Sequence, residues 1–582
     1  TLRRAEPSAA KADAMTPPPP RTPSLPFRRC GFASLPEALD YAARGETGCN
    51  FYNARAQLVA VLPYAELRTR ALAMARRLIG LGLARGDRML LIADTTPDFA
   101  VAFMACQYAG VVPVPVSLPV GLGARAGYVD QLCLQLQGSG ARAAMAAEGL
   151  GGFLAEAAEG IGLLLHGEPA AFAALDEPDA PLRPFGADDR CYLQYSSGST
   201  RFPLGVDVTQ RALAANILGM SAVGLDVGPD DRAVSWLPFY HDMGLIGFFL
   251  GPLCNQLSVD LLPTREFARR PSVWVTLISR NRATVSYSPS FGYDLSTRRL
   301  SDDQIRDLDL SCWRSAGIGG DMVQPPVLTR FARSFAPAGF RETAFVPSYG
   351  MAETCLAIAF APARDGLRLD RILRSGLAEG IATPAPADAD DHVARVMAIC
   401  GPALPEHQLE VRDESGAVLP ERRVGRVFVR GPSVMPGYFG QLEASAAVLG
   451  ADGWLDTGDL GYMVGGEIVI TGRAKDLIIV NGRNIWPQDL EWAVETLPGL
   501  RRGDVAAFAV PDDAGADEVV VLVQARLSDA AARDALRHAV EGAVREQAAI
   551  DCRAVLVPPH ALPQTSSGKL SRTRARNQYQ VG

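Results

Sequence analysis

Arg88-Met89-Leu90-Leu91-Ile92-Ala93, the segment from Pro97 to Tyr108, and Gly110-Val111-Val112-Pro113-Val114-Pro115-Val116 together decide the fold class. The first run is short, apolar and bounded by Gly86-Asp87, as a strand covered on both faces must be. Pro97 stands where a helix begins, and the apolar Phe99 to Tyr108 follows it. A second apolar run then closes the unit. Strand–helix–strand order predicts a doubly wound α/β layer structure.

Working outward, Tyr64 to Leu78 carries apolar residues at helical spacing, and the α/β alternation returns from Cys191 to about Phe360. The pattern then changes. Gln408–Arg412, a turn at Glu414-Ser415-Gly416, and Gly425–Arg430 read as a β-meander or small barrel. Glu467 to Thr471 is a last strand ending at Gly472. Beyond it, residues 475–582 have their own pattern, with a strand over Glu518–Arg526 and a helix over Ala531–Gln547. The expected division is a flexible Pro/Ala-rich tail over residues 1–30, a large unit over 31–474 and a smaller one over 475–582.

The composition narrows the class. Of 582 residues, 48% are hydrophobic and 21% charged, which excludes a disordered or fibrous chain. Lys+Arg 57 against Asp+Glu 64 leaves a net charge of −7, so no global attraction to nucleic acid or anionic lipid is expected. The ten cysteines form no CxxC pair, which argues against a zinc site or a disulfide framework and for a reducing cytoplasm. The most apolar stretch, Phe99 to Val120, is broken by Gln107, Pro113, Pro115 and Pro119, so no membrane span is expected. A monomeric cytoplasmic protein is the expectation. Lysine occurs only at Lys11, Lys475 and Lys569; every other basic residue is arginine. A bias that strong makes the exceptions informative, because a compact ammonium and a planar guanidinium do different work.

Five segments carry chemistry. Ser196-Ser197-Gly198-Ser199-Thr200-Arg201 follows a buried strand, and its small residues, hydroxyls and arginine suit a polyphosphate, although an ordinary Ser-rich turn reads the same way. It is not a Walker loop. Trp236-Leu237-Pro238-Phe239-Tyr240-His241-Asp242-Met243-Gly244-Leu245 sets a histidine among aromatics, as a core histidine also would be. Ser348-Tyr349-Gly350-Met351-Ala352-Glu353-Thr354 places an aromatic four residues before a carboxylate able to hold a metal. Gly458-Asp459-Leu460 and Gly472-Arg473 offer an acceptor for vicinal ribose hydroxyls and a donor nearby. Thr565-Ser566-Ser567-Gly568-Lys569 puts a lysine on a Gly/Ser loop, which alone is equally a solvated tail.

In this order the five segments resemble the adenylate-forming superfamily of acyl-CoA synthetases, peptide-synthetase adenylation domains and luciferases, from about Leu35 to Arg574. Gly198–Arg201, Leu237–Leu245 and Gly482-Arg483-Asn484-Ile485-Trp486-Pro487-Gln488-Asp489 resemble the fatty acyl-AMP ligases in particular. Typical acyl-CoA synthetases carry Gly at the position of Arg201 and Lys at that of Leu204. Residues 363–392 resemble that family's insertion, with a helix-like Leu367–Leu373 before an Ala/Pro/Asp-rich loop; a decorative surface loop would read alike.

The resemblance implies a large N-terminal domain of two doubly wound α/β subdomains plus a small β-barrel, with a small mobile α+β C-terminal domain. It implies ATP and Mg²⁺, a fatty acid substrate, and an acyl carrier protein acting in trans as acceptor. Lys569 would supply an ammonium between carboxylate and α-phosphate, and His241 would lie at the reacting carboxyl. Glu353 would ligate Mg²⁺. ATP would meet Ser196, Ser197, Gly198, Ser199, Thr200 and Arg201, with Tyr349 and Gly319-Gly320-Asp321 flanking adenine beside Ser348, Gly350 and Met351. Asp459 and Arg473 would take the ribose. Phe239, Met243, Ser288, Phe291 and Gly292 would line an acyl pocket, and Lys475 would be the hinge. A fatty acyl-CoA synthetase and a non-catalytic acyl-adenylate-binding module are the alternatives; the second is expected to lack Lys569 or Glu353, and both are present. An amino-acid adenylation domain needs an acidic residue at the start of its pocket, and Asp242 is too near the histidine to serve. No GxSxG elbow suggests a serine hydrolase.

Overall fold

The computed structural model describes residues 25–119, 125–195, 204–390, 392–480, 483–511, 517–564 and 570–581. The unit read first from the sequence forms as strand Arg88–Ile92, helix Pro97–Ala109 and strand Val112–Val116. Thr96 caps the helix by accepting from the Phe99 amide at 3.4 Å, Pro97 opens it, and Gly110 ends it in the left-handed region at φ 70°. These strands pair in parallel, with Ala141–Met145 and Leu165–Gly167 completing a four-stranded sheet.

A larger, eight-stranded sheet holds the site. Its order is Ala359–Phe360, Phe345–Tyr349, Ser315–Ile318, Val285–Ser288, Arg232–Ser235, Ser258–Leu261, Gly48–Tyr52 and Leu58–Pro63. All neighbours are parallel except the two edge pairs. One core joins this sheet to the smaller one through helices Tyr64–Gly80 and Pro97–Ala109: Leu67, Phe99 and Phe103 share it with Met89 and Leu91 on one side and Val259 and Ala233 on the other. The hairpin Arg190–Tyr195/Gly205–Thr209 stands beside them, and the hydroxyl-rich Ser196–Arg201 lies outside the described residues.

Gln408–Arg412, Gly425–Arg430, Leu455–Val464 and Glu467–Arg473 pair in sequence order as an open antiparallel meander among the described residues. A short 3₁₀ turn, Ala474–Asp476, leads on to a three-stranded sheet, Val505–Pro511, Asp517–Gln524 and Arg553–Val557, packed by helices Pro487–Val494 and Ala530–Ala548 around a separate core.

Two local readings need correction. Leu367–Leu373 is not helix-like: Leu369–Leu373 is a strand paired antiparallel with Ala394–Ala398. Residues 25–30 also pack on the large unit and are not part of a flexible tail, since Leu25 and Cys30 are buried and the Arg28 amide donates to Gln256 Oε1 at 2.8 Å.

Candidate active site

Parallel strands leave the amides and loops at their carboxyl ends free to meet a ligand. Here Arg232–Ser235, Val285–Ser288, Ser315–Ile318 and Phe345–Tyr349 all end at one cavity of about 1240 Å³. His241, Phe291, Gly319–Asp321 and Ser348–Glu353 therefore converge from distant parts of the chain. The meander closes another side with Asp459 and Arg473, and the C-terminal unit adds Lys475, Gln488, Gln564 and Ser571.

His241 caps the short helix Asp242–Leu245, its Nδ1 accepting from the Met243 amide at 3.3 Å and lying 2.5 Å from Asp242 Oδ1. Gln194, buried on the strand before the hydroxyl-rich segment, donates Nε2–H to Tyr240 O at 2.9 Å and so holds this loop. The loop after Tyr349 doubles back tightly: a Cβ at Gly350 would lie 1.8 Å from Leu356 O, which excludes any other residue there. Asn216 ties the same loop down, donating to Thr354 O at 3.1 Å and Ala357 O at 2.8 Å and accepting from the Ala357 amide at 3.1 Å.

Glu353 follows on a 3₁₀ turn, where Tyr438 donates to its Oε1 at 2.9 Å. Burial raises the pKa of this carboxyl, and the tyrosine bond works against that rise. Among the described residues no three His, Cys, Asp or Glu gather to hold a metal. Glu353 lines the cavity and Asp242 is near enough to raise its pKa, a donor set that suits Mg²⁺, which takes one or two protein carboxylates and completes its shell with phosphate oxygens and water.

Asp459 and Arg473 face each other across two paired strands, Arg473 Nε 3.6 Å from Asp459 Oδ1, while Tyr349 donates to Asp459 Oδ2 at 2.7 Å. Burial and the neighbouring Asp459 drive the Tyr349 phenol far above its ordinary range, so it stays protonated and can donate to Asp459. Lys475 lines the same chamber, and burial and the Arg473 charge lower its pKa.

Lys569 lies outside the described residues, as do Ser196 to Arg201. The base of its loop is described: Gln564 bridges to Leu570, and the Ser571 amide donates to Pro563 O at 2.9 Å, both at the cavity. Arg572 anchors this base, gripping Glu491 through Nε at 2.7 Å and Nη2 at 2.6 Å and reaching Asp476 at 3.0 Å.

Three expected pocket residues do not line the cavity. Phe239 is fully buried, stacked on Phe99 with centroids 5.4 Å apart; Ser288 is buried, its hydroxyl donating to Pro289 O at 2.7 Å; Gly292 packs where a Cβ would strike Ser288 Oγ and Trp236. Met243 and Phe291 do line it. The apolar part runs instead past Ile217, Met220, Leu225, Val227, Phe248 and Leu257. Two of these lie in the π-helical turns Met220–Gly224 and Ile246–Leu250, a geometry frequent at functional sites.

Residues 363–392 reach the C-terminal unit. Ile372, Leu377 and Ala382 share a core with Trp486, and Arg374 lies 3.5 Å from Asp489; the strand that follows adds Met397 to that core and places the buried Arg395 2.9 Å from Asp489. Tyr438, Arg572 and Asn216 were not singled out from the sequence; only the Pro-Gly before Tyr438 marked a turn there.

Comparison with known proteins agrees with this geometry. A family model described as AMP-binding enzyme matches residues 53–439. A putative acyl-CoA synthetase of Caulobacter vibrioides is 51% identical, covering 96% of this chain and 98% of its own. The long-chain-fatty-acid–AMP ligase FadD32 of Mycolicibacterium smegmatis is 32% identical, covering 90% of this chain and 89% of its own. A chain from structural and functional studies of the fatty acyl-adenylate ligases of E. coli and L. pneumophila superposes with a TM-score of 0.91 at 43% identity, over 96% of this chain and 99% of that one. The chain accordingly belongs to the AMP-binding enzyme family, as an enzyme of the fatty acyl-AMP ligase type.

Proposed function

We propose that the protein activates a fatty acid with ATP, forming acyl-AMP and pyrophosphate, and then passes the acyl group to the phosphopantetheine thiol of a separate acyl carrier protein. The observation that carries this reading is that one cavity is lined both by polar groups, Tyr349, Glu353, Asp459 and Arg473, and by the apolar Ile217, Met220 and Leu257. A nucleotide and a long hydrocarbon would both find partners there.

In this reading a carboxylate oxygen attacks the α-phosphorus in line with departing pyrophosphate. The protein's work is to hold two anions together and to stabilise charge developing on the phosphoryl oxygens. Lys569, on the loop whose base Arg572 anchors, supplies the ammonium. Asp459 accepts from the ribose hydroxyls, Arg473 donates beside it, and Tyr349 with Gly319–Asp321 flanks the base. Ser196–Arg201 holds the phosphates. Glu353 would hold Mg²⁺, which when bound would neutralise phosphate charge. Lys475 is the hinge for the second step.

A second reading, with coenzyme A as acceptor, is favoured by the Caulobacter relative's description as a putative acyl-CoA synthetase. The contact of residues 363–392 with Trp486, through Ile372 and Leu377, and with Asp489, through Arg374, supports the carrier instead, because it ties the C-terminal unit to the large domain. The test is a product analysis with fatty acids of increasing length, ATP and Mg²⁺, offering coenzyme A or a phosphopantetheinylated carrier. Acyl-AMP should accumulate and transfer to the carrier. Robust acyl-CoA formation would select the second reading, and absence of acyl-AMP with every acid would reject both.

A further inference from the structure

Tyr438 occupies a junction that the reaction as described leaves unused. Its phenol donates to Glu353 Oε1 at 2.9 Å, and three residues earlier the Met435 amide donates to Glu353 O at 2.8 Å. One short segment therefore holds Glu353 by main chain and side chain at once.

The same segment is bound to the hairpin that leads into the hydroxyl-rich stretch. Tyr438 bridges Val206, the Asp207 amide donates to Gly437 O at 3.2 Å, and the Phe439 amide donates to Gly205 O at 2.8 Å. Ser445 Oγ fixes the segment from behind by accepting from the Tyr438 amide at 2.8 Å. Gly437, at φ 152°, leaves space there: a Cβ would meet Ser445 Oγ at 2.9 Å.

We infer that Tyr438 is a positioning residue that aims Glu353 at the metal–ATP complex and keeps it in register with the phosphate-holding hairpin. This rests on the reading that Glu353 ligates Mg²⁺. One hydrogen bond to Oε1 leaves the carboxylate with lone pairs for a cation. The hydrogen bond also removes rotamer freedom that Glu353 would otherwise lose only when metal binds. The role is distinct from simple packing, because replacing the hydroxyl alone leaves the ring in place.

The experiment uses the full chain and Mn²⁺ as probe, with free Mn²⁺ followed by EPR in the presence of ATP and no fatty acid. Tyr438→Phe should raise the half-saturating Mn²⁺ about ten-fold, the size of a lost hydrogen bond to a charged group. ATP binding without metal and the KM for fatty acid should stay close to the parent's, and the thermal midpoint should fall by no more than a few degrees. Glu353→Gln should raise the Mn²⁺ requirement at least as much. Ser445→Ala, which loosens the Tyr438 backbone without touching the phenol, should shift it in the same direction by less; this keeps the inference testable if Tyr438→Phe folds poorly. A parental Mn²⁺ midpoint in Tyr438→Phe beside a raised one in Glu353→Gln would overturn the positioning role alone. A parental midpoint in Glu353→Gln would overturn the metal-ligand reading together with it.

Discussion

Tyr349 and Asp459 are joined by a 2.7 Å hydrogen bond between the end of a parallel strand and the middle of the antiparallel meander. The ring that would cover adenine and the carboxylate that would hold ribose are thus one unit, built from two sheets. Arg473 approaches the other carboxylate oxygen, so Asp459 is oriented from both sides.

Tyr349→Phe should keep the ring and release Asp459, raising the KM for ATP several-fold, up to about ten-fold, with little change in the KM for fatty acid. Asp459→Ala should raise it further, because the sugar then loses its acceptor. Pyrophosphate release measured against ATP at saturating acid checks both.

Lys569→Ala should abolish acyl-AMP formation while ATP still binds, since binding is spread over the large domain. Lys569→Arg should not restore activity, because a planar fork replaces a compact charge. Isothermal titration with ATP, set beside pyrophosphate release, separates the two effects. Parental turnover in Lys569→Ala would remove that residue from the mechanism.

Arg572 is held by Glu491 and Asp476, and its pKa is raised by them despite burial. Arg572→Ala would leave Glu491, 5% exposed, without its counter-charge, and should cost about 3 kcal/mol of C-terminal-domain stability. Protease nicking within residues 483–581 should rise in parallel with the loss of acyl-AMP formation. Arg572→Lys should rescue only in part, because a compact ammonium lacks the planar fork that spans both Glu491 oxygens and Asp476.

Glu495 lines the cavity from the C-terminal side, and burial raises its pKa from 4.5 to about 7. A carboxyl raised on folding binds more protons in the native state between those values, so stability falls as pH rises from about 4.5 through 7. Glu495→Gln keeps an acceptor for the Gly503 amide, which now donates to Glu495 Oε1 at 2.5 Å, and removes the charge. It should stabilise the protein at pH 8 by about 1–3 kcal/mol and change little at or below about pH 4.5. Thermal or denaturant midpoints across that range test the sign.

The α/β reading of residues 88–116 agrees with the structure because a parallel strand buried on both faces must be apolar throughout, and Thr96, Pro97 and Gly110 punctuate the helix between two such runs. Leu367–Leu373 misled because its leucines fit either period; its partner, Ala394–Ala398, lies beyond a long loop and settles the strand. Phe239, Ser288 and Gly292 sit within a few residues of cavity-lining neighbours yet point into the core, a matter of backbone direction that residue type does not encode.

What the chain's order of residues determined by itself was the layer class, the meander, the separate C-terminal unit and the kinds of chemistry carried by Tyr349, Glu353, Asp459 and Arg473. These depend on short-range periodicity and on the functional groups present. Only the tertiary structure decided that Tyr438 holds Glu353, that Arg572 binds Asp476 and Glu491, and that the cavity's apolar lining includes Met220 and Leu257. Those contacts join residues 80 or more positions apart, or depend on which way a side chain is turned by packing, and no local pattern carries that information.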